Sequence, residues 1–271
     1  MSIEFFHDKN KKKNEGFCPH AYKGITAQLY DLWFDFDQQY DDLSFYQRHI
    51  KQNGGNALEI ASGTGRLLLP YIQEGLNVEG LEPSTEMNEI CYAKAHQLGL
   101  NPVIHEQAME SMKISTSYNT IYIPLYSFQL LVDFPVVYEA LRRFYLHLEK
   151  DGHLLISLFI PEHVSGAVEG AWRLRRKTDR AEDKVSIILS ESVIHNQAEQ
   201  VQNKWFKYEV YNEKDEVVRS FIRAMSLRWY YRYEFIMMLE KVGFRDVEIH
   251  SNYSECQAHI QSQSVVFSAR K

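Results

Sequence analysis

The sequence predicts an α/β fold: a mostly parallel sheet with helices on both faces, interrupted by an inserted antiparallel sheet. Between residues 57 and 161, short apolar runs alternate with helical segments, which is typical of a parallel sheet. From about Trp172 to Trp229, long β-rich runs with polar punctuation indicate antiparallel strands. A helix and two more strands then follow, so the antiparallel segment is expected to interrupt one domain.

The elements of the core can be assigned in chain order. Aromatic and apolar residues at mixed helical spacings predict two short amphipathic helices between Ala27 and about Gln52, which Gly54 and Gly55 end. Runs of apolar residues bounded by Gly, Pro and Asn predict the parallel strands. These strands are Ala57–Ile60, Val78–Leu81, Pro102–His105, Thr120–Ile123 and His153–Phe159.

Capping residues and glycines delimit the remaining elements. Helices are expected over Arg66–Gln73, from the Ser84 cap to Gly99, and over Pro135–Leu148, with a turn at Asp151–Gly152. Turns at His195–Glu199 and Asn212–Asp215 divide the inserted strands, and the last elements are helix Tyr233–Val242 and strands Phe244–His250 and Ser264–Ser268. The expected units are an N-terminal segment (1–52), a core (53–163 and 232–271) and an insert (164–231).

Composition excludes several classes of protein. The chain has 271 residues, 45% hydrophobic and 24% charged, so it is neither disordered nor collagen-like. Its net charge of −6 disfavours nucleic acid as a partner, and no apolar run approaches the roughly 20 residues that cross a membrane. Three scattered Cys suit a reducing cytoplasm, and Cys18-Pro-His20 lacks the spacing of a zinc site, so no metal is expected.

The stretch from Ala57 to Arg66 is the most informative. It places a loop of small residues between a strand and a helix, where backbone N–H groups can approach a ligand closely. Glu82 ends the second strand, where a carboxylate can accept both hydroxyls of a ribose. Glu59 can meet an ammonium group, and no third glycine completes a dinucleotide fingerprint. The ligand therefore looks like an adenosine joined to an amino acid, and the alternative is a strand-to-helix turn that binds nothing.

These residues resemble motif I of class I S-adenosylmethionine-dependent methyltransferases, usually E-x-G-x-G-x-G, with Ala61 in place of the first Gly. The stretch from Val78 to Met87 is similar to the second motif, with Glu82 in place of Asp. The resemblance implies a Rossmann-like sheet, S-adenosylmethionine as cofactor, and N-terminal helices that form a lid over it. It covers nearly the whole chain but does not identify the substrate.

The resemblance also implies a set of cofactor-binding residues. The usual acid for the adenine amino group is missing, because Ala108 stands at its position; either Gln107 supplies the acceptor or the backbone and side chain of Met109 alone hold the adenine. The alternative is that Met109 and Met112 are core residues on a helix. After the fourth strand, Pro124 to Leu131 match the region that flanks the methionine part, and Ser127 either faces the ligand or caps a helix. The implied cofactor-binding residues are Tyr30, Glu59, Ala61, Ser62, Gly63, Gly65, Glu82, Pro83, Met87, Ala108, Met109, Pro124 and Leu125.

We expect a cytoplasmic methyltransferase that transfers a methyl group to N or O of a small molecule by in-line displacement. The alternatives are methylation of RNA or protein, for which the basic cluster Arg173–Lys177 is a weak argument, and a non-catalytic cofactor-binding protein. No catalytic residue can be named; among the His residues, His163 has the best position, ahead of His20 and His195. The aromatic insert either walls the substrate pocket or forms a homodimer. Its aromatic residues are Trp172, Trp205, Tyr208, Tyr211, Trp229, Tyr230 and Tyr231.

Overall fold

The computed structural model describes Tyr22 and residues 24–31, 42–159, 169–180, 184–254 and 264–271. One sheet contains β1 (Ala57–Ile60), β2 (Val78–Leu81), β3 (Ile104–His105), β4 (Tyr118–Ile123), β5 (Leu148–Phe159), β10 (Arg245–Ser251) and β11 (Ser264–Arg270). The other contains β6 (Arg173–Arg180), β7 (Val185–Asn196), β8 (Val201–Tyr211) and β9 (Val217–Arg228). The helices are α1 (Ile25–Gln28), α2 (Asp42–Asn53), α3 (Leu68–Gln73), α4 (Thr85–Leu98), α5 (Phe134–His147) and α6 (Arg232–Val242), with a 3-10 helix at Ser127–Leu130.

The larger sheet runs in the order β3-β2-β1-β4-β5-β11-β10. Neighbouring strands from β3 to β5 are parallel, whereas β11 is antiparallel to both β5 and β10. The predicted α/β fold with an inserted antiparallel sheet is confirmed. Because β1, β2, β3 and β4 are parallel, the loops that follow them meet at one edge of the sheet.

Apolar side chains fill both faces of this sheet. One face packs α5 and α6 through residues such as Phe144 and Phe235, which are fully buried. The other face packs α2, α3 and α4 through residues such as Tyr46 and Tyr71. The strands of the parallel part are therefore buried on both sides, as their near-continuous apolar runs require.

The predicted caps of α4 are confirmed. The Ser84 hydroxyl accepts a hydrogen bond from the Met87 N–H at 3.3 Å, and Gly99 has the left-handed φ of 69° that ends the helix. The predicted turn at Asp151–Gly152 is wrong, because these residues lie inside β5. They belong to a bulge, since the pairing with β4 shifts between Leu148 and His153 and Asp151 has a φ of 62°.

The inserted sheet is an antiparallel meander in the order β6-β7-β8-β9. Its basic strand β6 lies at the edge, where charged side chains discourage pairing with other chains. A buried amide ties the sheet to the core, because Gln129 Nε2 donates to the carbonyls of both Phe159 and Arg228 at 2.9 Å. The carbonyl of Val132 also accepts from Arg228 Nε at 2.7 Å. The position of β9 is thus fixed by the loop after β4.

Within the described ranges, no helix combines the length and the apolar character that crossing a bilayer requires.

Gly65 allows α3 and α4 to pack closely, and this predicts a difference between two glycines. We expect Gly65→Ala to destabilise the protein about 1–3 kcal/mol more than Gly75→Ala in urea unfolding. The φ values are matched at 81° and 79°, but a Cβ at Gly65 would lie 2.5 Å from Cys91 Sγ, whereas Gly75 has open space. Equal losses for the two variants would contradict this account of the packing.

Candidate functional site

A cavity of about 280 Å³ opens where the loops after β1, β2, β3 and β4 meet. Segments from the N-terminal region and from β8 and β9 complete its walls. Several residues expected from the sequence line it: Tyr30, Ala61, Gly63, Glu82, Pro83, Met87, Ala108, Met109 and Leu125. Glu59, Ser62, Gly65 and Pro124 are outside the lining.

The loop after β1 is built from residues in the left-handed conformation. Ala61, Gly63 and Gly65 have φ values of 57°, 55° and 81°. Ala61 therefore keeps a glycine-like backbone at a cost of about 1–2 kcal/mol. A Cβ at Gly63 would lie 3.6 Å from Met87 Cε and 3.9 Å from the Tyr30 ring, so a side chain there would enter the cavity. The loop thus leaves its backbone accessible at this point.

The carboxylate of Glu82 joins the loops after β1 and β2. Its Oε2 accepts from the Gly63 N–H at 3.0 Å, and its Oε1 accepts from the Ser84 N–H at 2.9 Å. Burial raises the pKa of Glu82 to about 7, against the opposing effect of these two donors. Each carboxylate oxygen can accept a further hydrogen bond, so a ligand's hydroxyl groups can bind without displacing the backbone contacts.

Glu59 lies beneath the loop rather than on the cavity surface. It is 2% exposed, and its Oε2 accepts from the Tyr122 hydroxyl at 2.9 Å. Burial raises the pKa of Glu59 to about 8, although the Tyr122 hydroxyl and the Arg66 guanidinium oppose the shift. At neutral pH this carboxyl group is therefore largely protonated.

Two other expected residues also lie inside the loop. Ser62 is buried and its N–H donates to the Leu81 carbonyl at 3.2 Å, while its hydroxyl packs against Gly80. Gly65 packs against α4. Both residues shape the loop from below.

The loop after β3 brings a carboxylate that the sequence analysis missed. Gln107 is bound within the loop, because its side chain accepts from the Lys113 N–H at 2.7 Å and donates to the Lys113 carbonyl at 3.3 Å. Gln107 is also absent from the cavity lining, so it does not replace the missing acid. Glu110 lines the cavity beside Ala108 and Met109. The sequence signal that could have identified Glu110 is its position, two residues after Ala108, where the family usually has the acid.

The loop after β4 is strained at the cavity wall. Leu125 and Tyr126 have φ values of 52° and 62°, and both line the cavity. Consecutive non-glycine residues in this region cost about 1–3 kcal/mol each, and such strain concentrates at functional sites. The Tyr126 hydroxyl donates to Ser264 Oγ at 3.0 Å, which holds the loop against β11. Ser127 begins the 3-10 helix and lines the cavity, so the interpretation of Ser127 as its cap is wrong.

The N-terminal segment covers one side of the cavity. Tyr22 and Tyr30 line it with ring centroids 5.3 Å apart, and the guanidinium of Arg223 on β9 lies 3.9 Å from the centre of the Tyr22 ring. Asp31 accepts from the Thr64 hydroxyl at 2.6 Å and pairs with Lys94 at 2.6 Å. The segment is thus attached to the inserted sheet and to the core.

The inserted sheet supplies the opposite wall through residues that the sequence analysis did not select. Lys204 and Phe206 of β8 and Met225 and Leu227 of β9 line the cavity. Lys204 pairs with Met225, so the two side chains share a face of the sheet. Because side chains alternate between the two faces of a strand, the sequence could have placed Lys204 and Phe206 on the same face of β8. The aromatic residues expected to wall the pocket do not line it.

The histidine candidate that the structure describes, His195, lies away from the cavity. His195 is bound on the inserted sheet by Glu169 at 3.1 Å and by Gln202 at 2.8 Å, and it does not line the cavity. His163 and His20 lie outside the described residues.

Comparisons with known proteins agree with this geometry. Residues 57–152, which include the loops after the first four strands, match a family described as a methyltransferase domain. Over 262 residues the chain is 26% identical to a protein from Geobacillus sp. (strain WCH70) that is named as a methyltransferase by inference. This alignment covers 91% of the chain and 100% of the relative.

Solved structures extend the comparison to the fold of the chain. An S-adenosylmethionine-dependent methyltransferase from Clostridium acetobutylicum ATCC 824 matches with a TM-score of 0.75 and 16% identity, covering 90% of this chain and 96% of that one. A sugar N-methyltransferase from Streptoalloteichus sp. ATCC 53650 matches with a TM-score of 0.70 and 16% identity, covering 93% and 96%. The chain has the fold of these methyltransferases, and the resemblance to class I S-adenosylmethionine-dependent methyltransferases seen in the sequence is confirmed.

The buried carboxyl of Glu59 predicts a pH-dependent stability. Its pKa is raised from 4.5 to about 8, so the folded state binds the proton more tightly than the unfolded chain. This contribution to the free energy of unfolding falls as pH rises through that window. Glu59→Gln removes the titration, so the variant should gain stability relative to the wild type between about pH 5 and pH 8 in urea unfolding. Exposed Glu74→Gln is the control, and matching pH profiles for the two variants would contradict the assignment.

Proposed function

We propose that the methyltransferase transfers the methyl group of S-adenosylmethionine to N or O of a small molecule bound between the core loops and the inserted sheet. The observation that carries this proposal is the Glu82 carboxylate, held open to the cavity by the backbone of both adjoining loops. A carboxylate in this position can accept both ribose hydroxyls of a nucleoside. The matched domain and the shared fold support the same cofactor.

The residues around Glu82 fit the rest of this cofactor. Pro83, Met87, Ala108 and Met109 offer apolar contacts for an adenine on one side of the carboxylate. Ala61 and Gly63 leave the loop backbone accessible for the amino-acid part, with Leu125 nearby on the cavity wall. In this proposal Glu59, Ser62 and Gly65 act from beneath by fixing the loop, and Pro124 acts through the position of Leu125.

A small acceptor is favoured by the second wall. The side chains of β8 and β9 close the cavity opposite the core loops, and its volume of about 280 Å³ suits a small ligand rather than a polymer. The shared fold with a sugar N-methyltransferase supports the same class of acceptor. The acidic net charge of −6 argues against RNA.

Alignment is the main catalytic task of such a site. When bound, S-adenosylmethionine supplies an electrophilic methyl group on a positively charged sulfur. The chain contributes orientation, since the strained loop at Leu125 and Tyr126 and the inserted sheet fix the space left for the acceptor. Orientation of this kind can provide on the order of 7–11 kcal/mol of the barrier.

Two expectations from the sequence stay predictions. A homodimer through the inserted sheet is compatible with the exposed apolar side chains of Leu174, Ile194 and Ile222 on that sheet. The second is a cytoplasmic location.

The proposed cofactor site predicts large losses of affinity in two variants. We expect calorimetry to show S-adenosylmethionine binding to the wild type, weakened at least 10-fold by Glu82→Ala, because a charge-assisted hydrogen bond contributes about 1.5–3 kcal/mol. Gly63→Val should weaken binding similarly by filling the cavity. Glu74→Ala and Gly54→Val are matched controls, because Glu74 is exposed and Gly54 has a similar φ of 63° with open space around it. No heat for the wild type, or unchanged affinity in both site variants, would refute the cofactor site.

The acceptor class is tested with the same protein. S-adenosylmethionine with a tritiated methyl group is added to a cell extract that is then divided into small-molecule, RNA and protein fractions. Label in the small-molecule fraction is expected. Label confined to RNA or protein would overturn the proposed acceptor, and binding without transfer would favour the non-catalytic alternative.

We further propose that Glu110 accepts a hydrogen bond from the adenine amino group in place of the acid missing at Ala108. Glu110→Ala should then lower the affinity for S-adenosylmethionine about 5- to 20-fold, the effect of one hydrogen bond to a charged group. It should change the affinity for the inosine analogue much less, because that base lacks the amino group. Glu106→Ala is the control, since Glu106 binds Thr85 instead of lining the cavity. An equal loss for both nucleosides would contradict this role.

A further inference from the structure

A lysine lies on the cavity wall opposite the core loops. Lys204 of β8 lines the cavity with the apolar side chains of Phe206, Met225 and Leu227, and its Nζ is 6.0 Å from the centre of the Phe159 ring. With the residues that the structure describes, Nζ forms neither a hydrogen bond nor an ion pair. A charged ammonium is costly in such surroundings, whereas a neutral amine is not. The position thus favours a lysine that can exchange a proton.

Burial and the charged groups on both walls of the cavity also act on Lys204. Burial lowers the pKa of Lys204, and the Arg175 guanidinium adds to this effect, while Glu191 opposes it. Glu191 is itself paired with Arg175, with 3.4 Å between Oε1 and Nε. Glu82 and Glu110 are carboxylates on the core side of the cavity.

One further inward-facing charge lies on the inserted sheet. Arg223 precedes Met225 by two residues on β9, and its guanidinium lies 3.9 Å from the centre of the Tyr22 ring. The Arg223 guanidinium therefore binds the N-terminal segment through Tyr22.

We propose that Lys204 is the general base that accepts the proton of the methyl acceptor, an inference that rests on the proposed function. The neutral Nζ takes the proton from an N–H or O–H group of the acceptor. The electron pair of that bond stays on the acceptor atom, which bonds to the methyl carbon, and the pair of the broken C–S bond remains on sulfur. No other reactant is required.

The charge in the cavity is conserved by this step. Before transfer, the positive charge is on the sulfur of the bound donor, and a like charge nearby favours the neutral form of Lys204. After transfer, the sulfur is neutral and Lys204 carries the positive charge. The repulsion from the sulfur therefore prepares the base before the reaction, and its disappearance afterwards allows Lys204 to keep the proton.

The first test does not depend on turnover. Lysines are labelled with a trace of acetic anhydride between about pH 6 and pH 11 and quantified by mass spectrometry, with Lys184, whose side chain is 72% exposed, as the internal control. Lys204 should titrate below Lys184. S-adenosylmethionine should lower the apparent pKa of Lys204 further, whereas S-adenosylhomocysteine, which occupies the same space without the charge, should not. Titration together with Lys184, or equal effects of the two ligands, would overturn the proposal.

The second test separates a base from a fixed positive charge. Lys204→Met and Lys204→Arg should both lower tritium transfer to the small-molecule fraction about 10²- to 10⁴-fold, the usual range for loss of a general base. Both should still bind S-adenosylmethionine in calorimetry. Activity retained by Lys204→Arg would indicate recognition of an anionic acceptor, and activity retained by Lys204→Met would show that the lysine is dispensable; either result refutes the base. A wild type that fails to bind S-adenosylmethionine would instead refute the proposed function.

Discussion

The buried carboxylate of Glu82 is the constraint on which the site depends. It is 5% exposed and accepts one backbone N–H from the loop after β1 and another from the loop after β2. Losing this carboxylate would leave both donors buried without a partner, which costs about 1–3 kcal/mol for each group. The two loops are therefore held in fixed relation before any ligand arrives. Because the remaining acceptor capacity of the carboxylate faces the cavity, the same group that organises the site can also bind there.

Backbone strain surrounds this carboxylate at three non-glycine residues. Ala61 stands in the loop after β1, and Leu125 and Tyr126 stand in the loop after β4, all with φ between 52° and 62°. Strain of this size persists only where the surrounding structure fixes it. Here the fully buried strands beneath the loops and the Tyr126 hydrogen bond to Ser264 provide that support. The cavity rim is thus rigid because the core under it is well packed.

Local chemistry made much of this structure predictable from the sequence. The Ser84 cap, the Gly99 end and the first two strands depend on residues close together in the chain, and they are where the pattern predicts them. The bulge at Asp151 was missed because a left-handed residue gives the same local signal in a turn and in an irregular strand. Lys204 was missed for a different reason. Alternation shows that it shares a face with Phe206, but only the docking of the sheet decides whether that face meets solvent or the cavity.

The docking of the inserted sheet therefore determines what the cavity can do chemically. Gln129, which is 1% exposed, bonds to both Phe159 and Arg228 and so joins the end of β5 to the end of β9. Arg228 comes directly after Leu227, which lines the cavity. Lys204 of β8 pairs with Met225 of β9. The buried amide therefore holds the lysine at a fixed distance from the core loops, together with the Arg228 Nε that donates to the Val132 carbonyl. The space between the core loops and the inserted sheet is thus a property of the folded chain before any ligand binds, because a hydrogen-bonded residue after β4 connects the two walls.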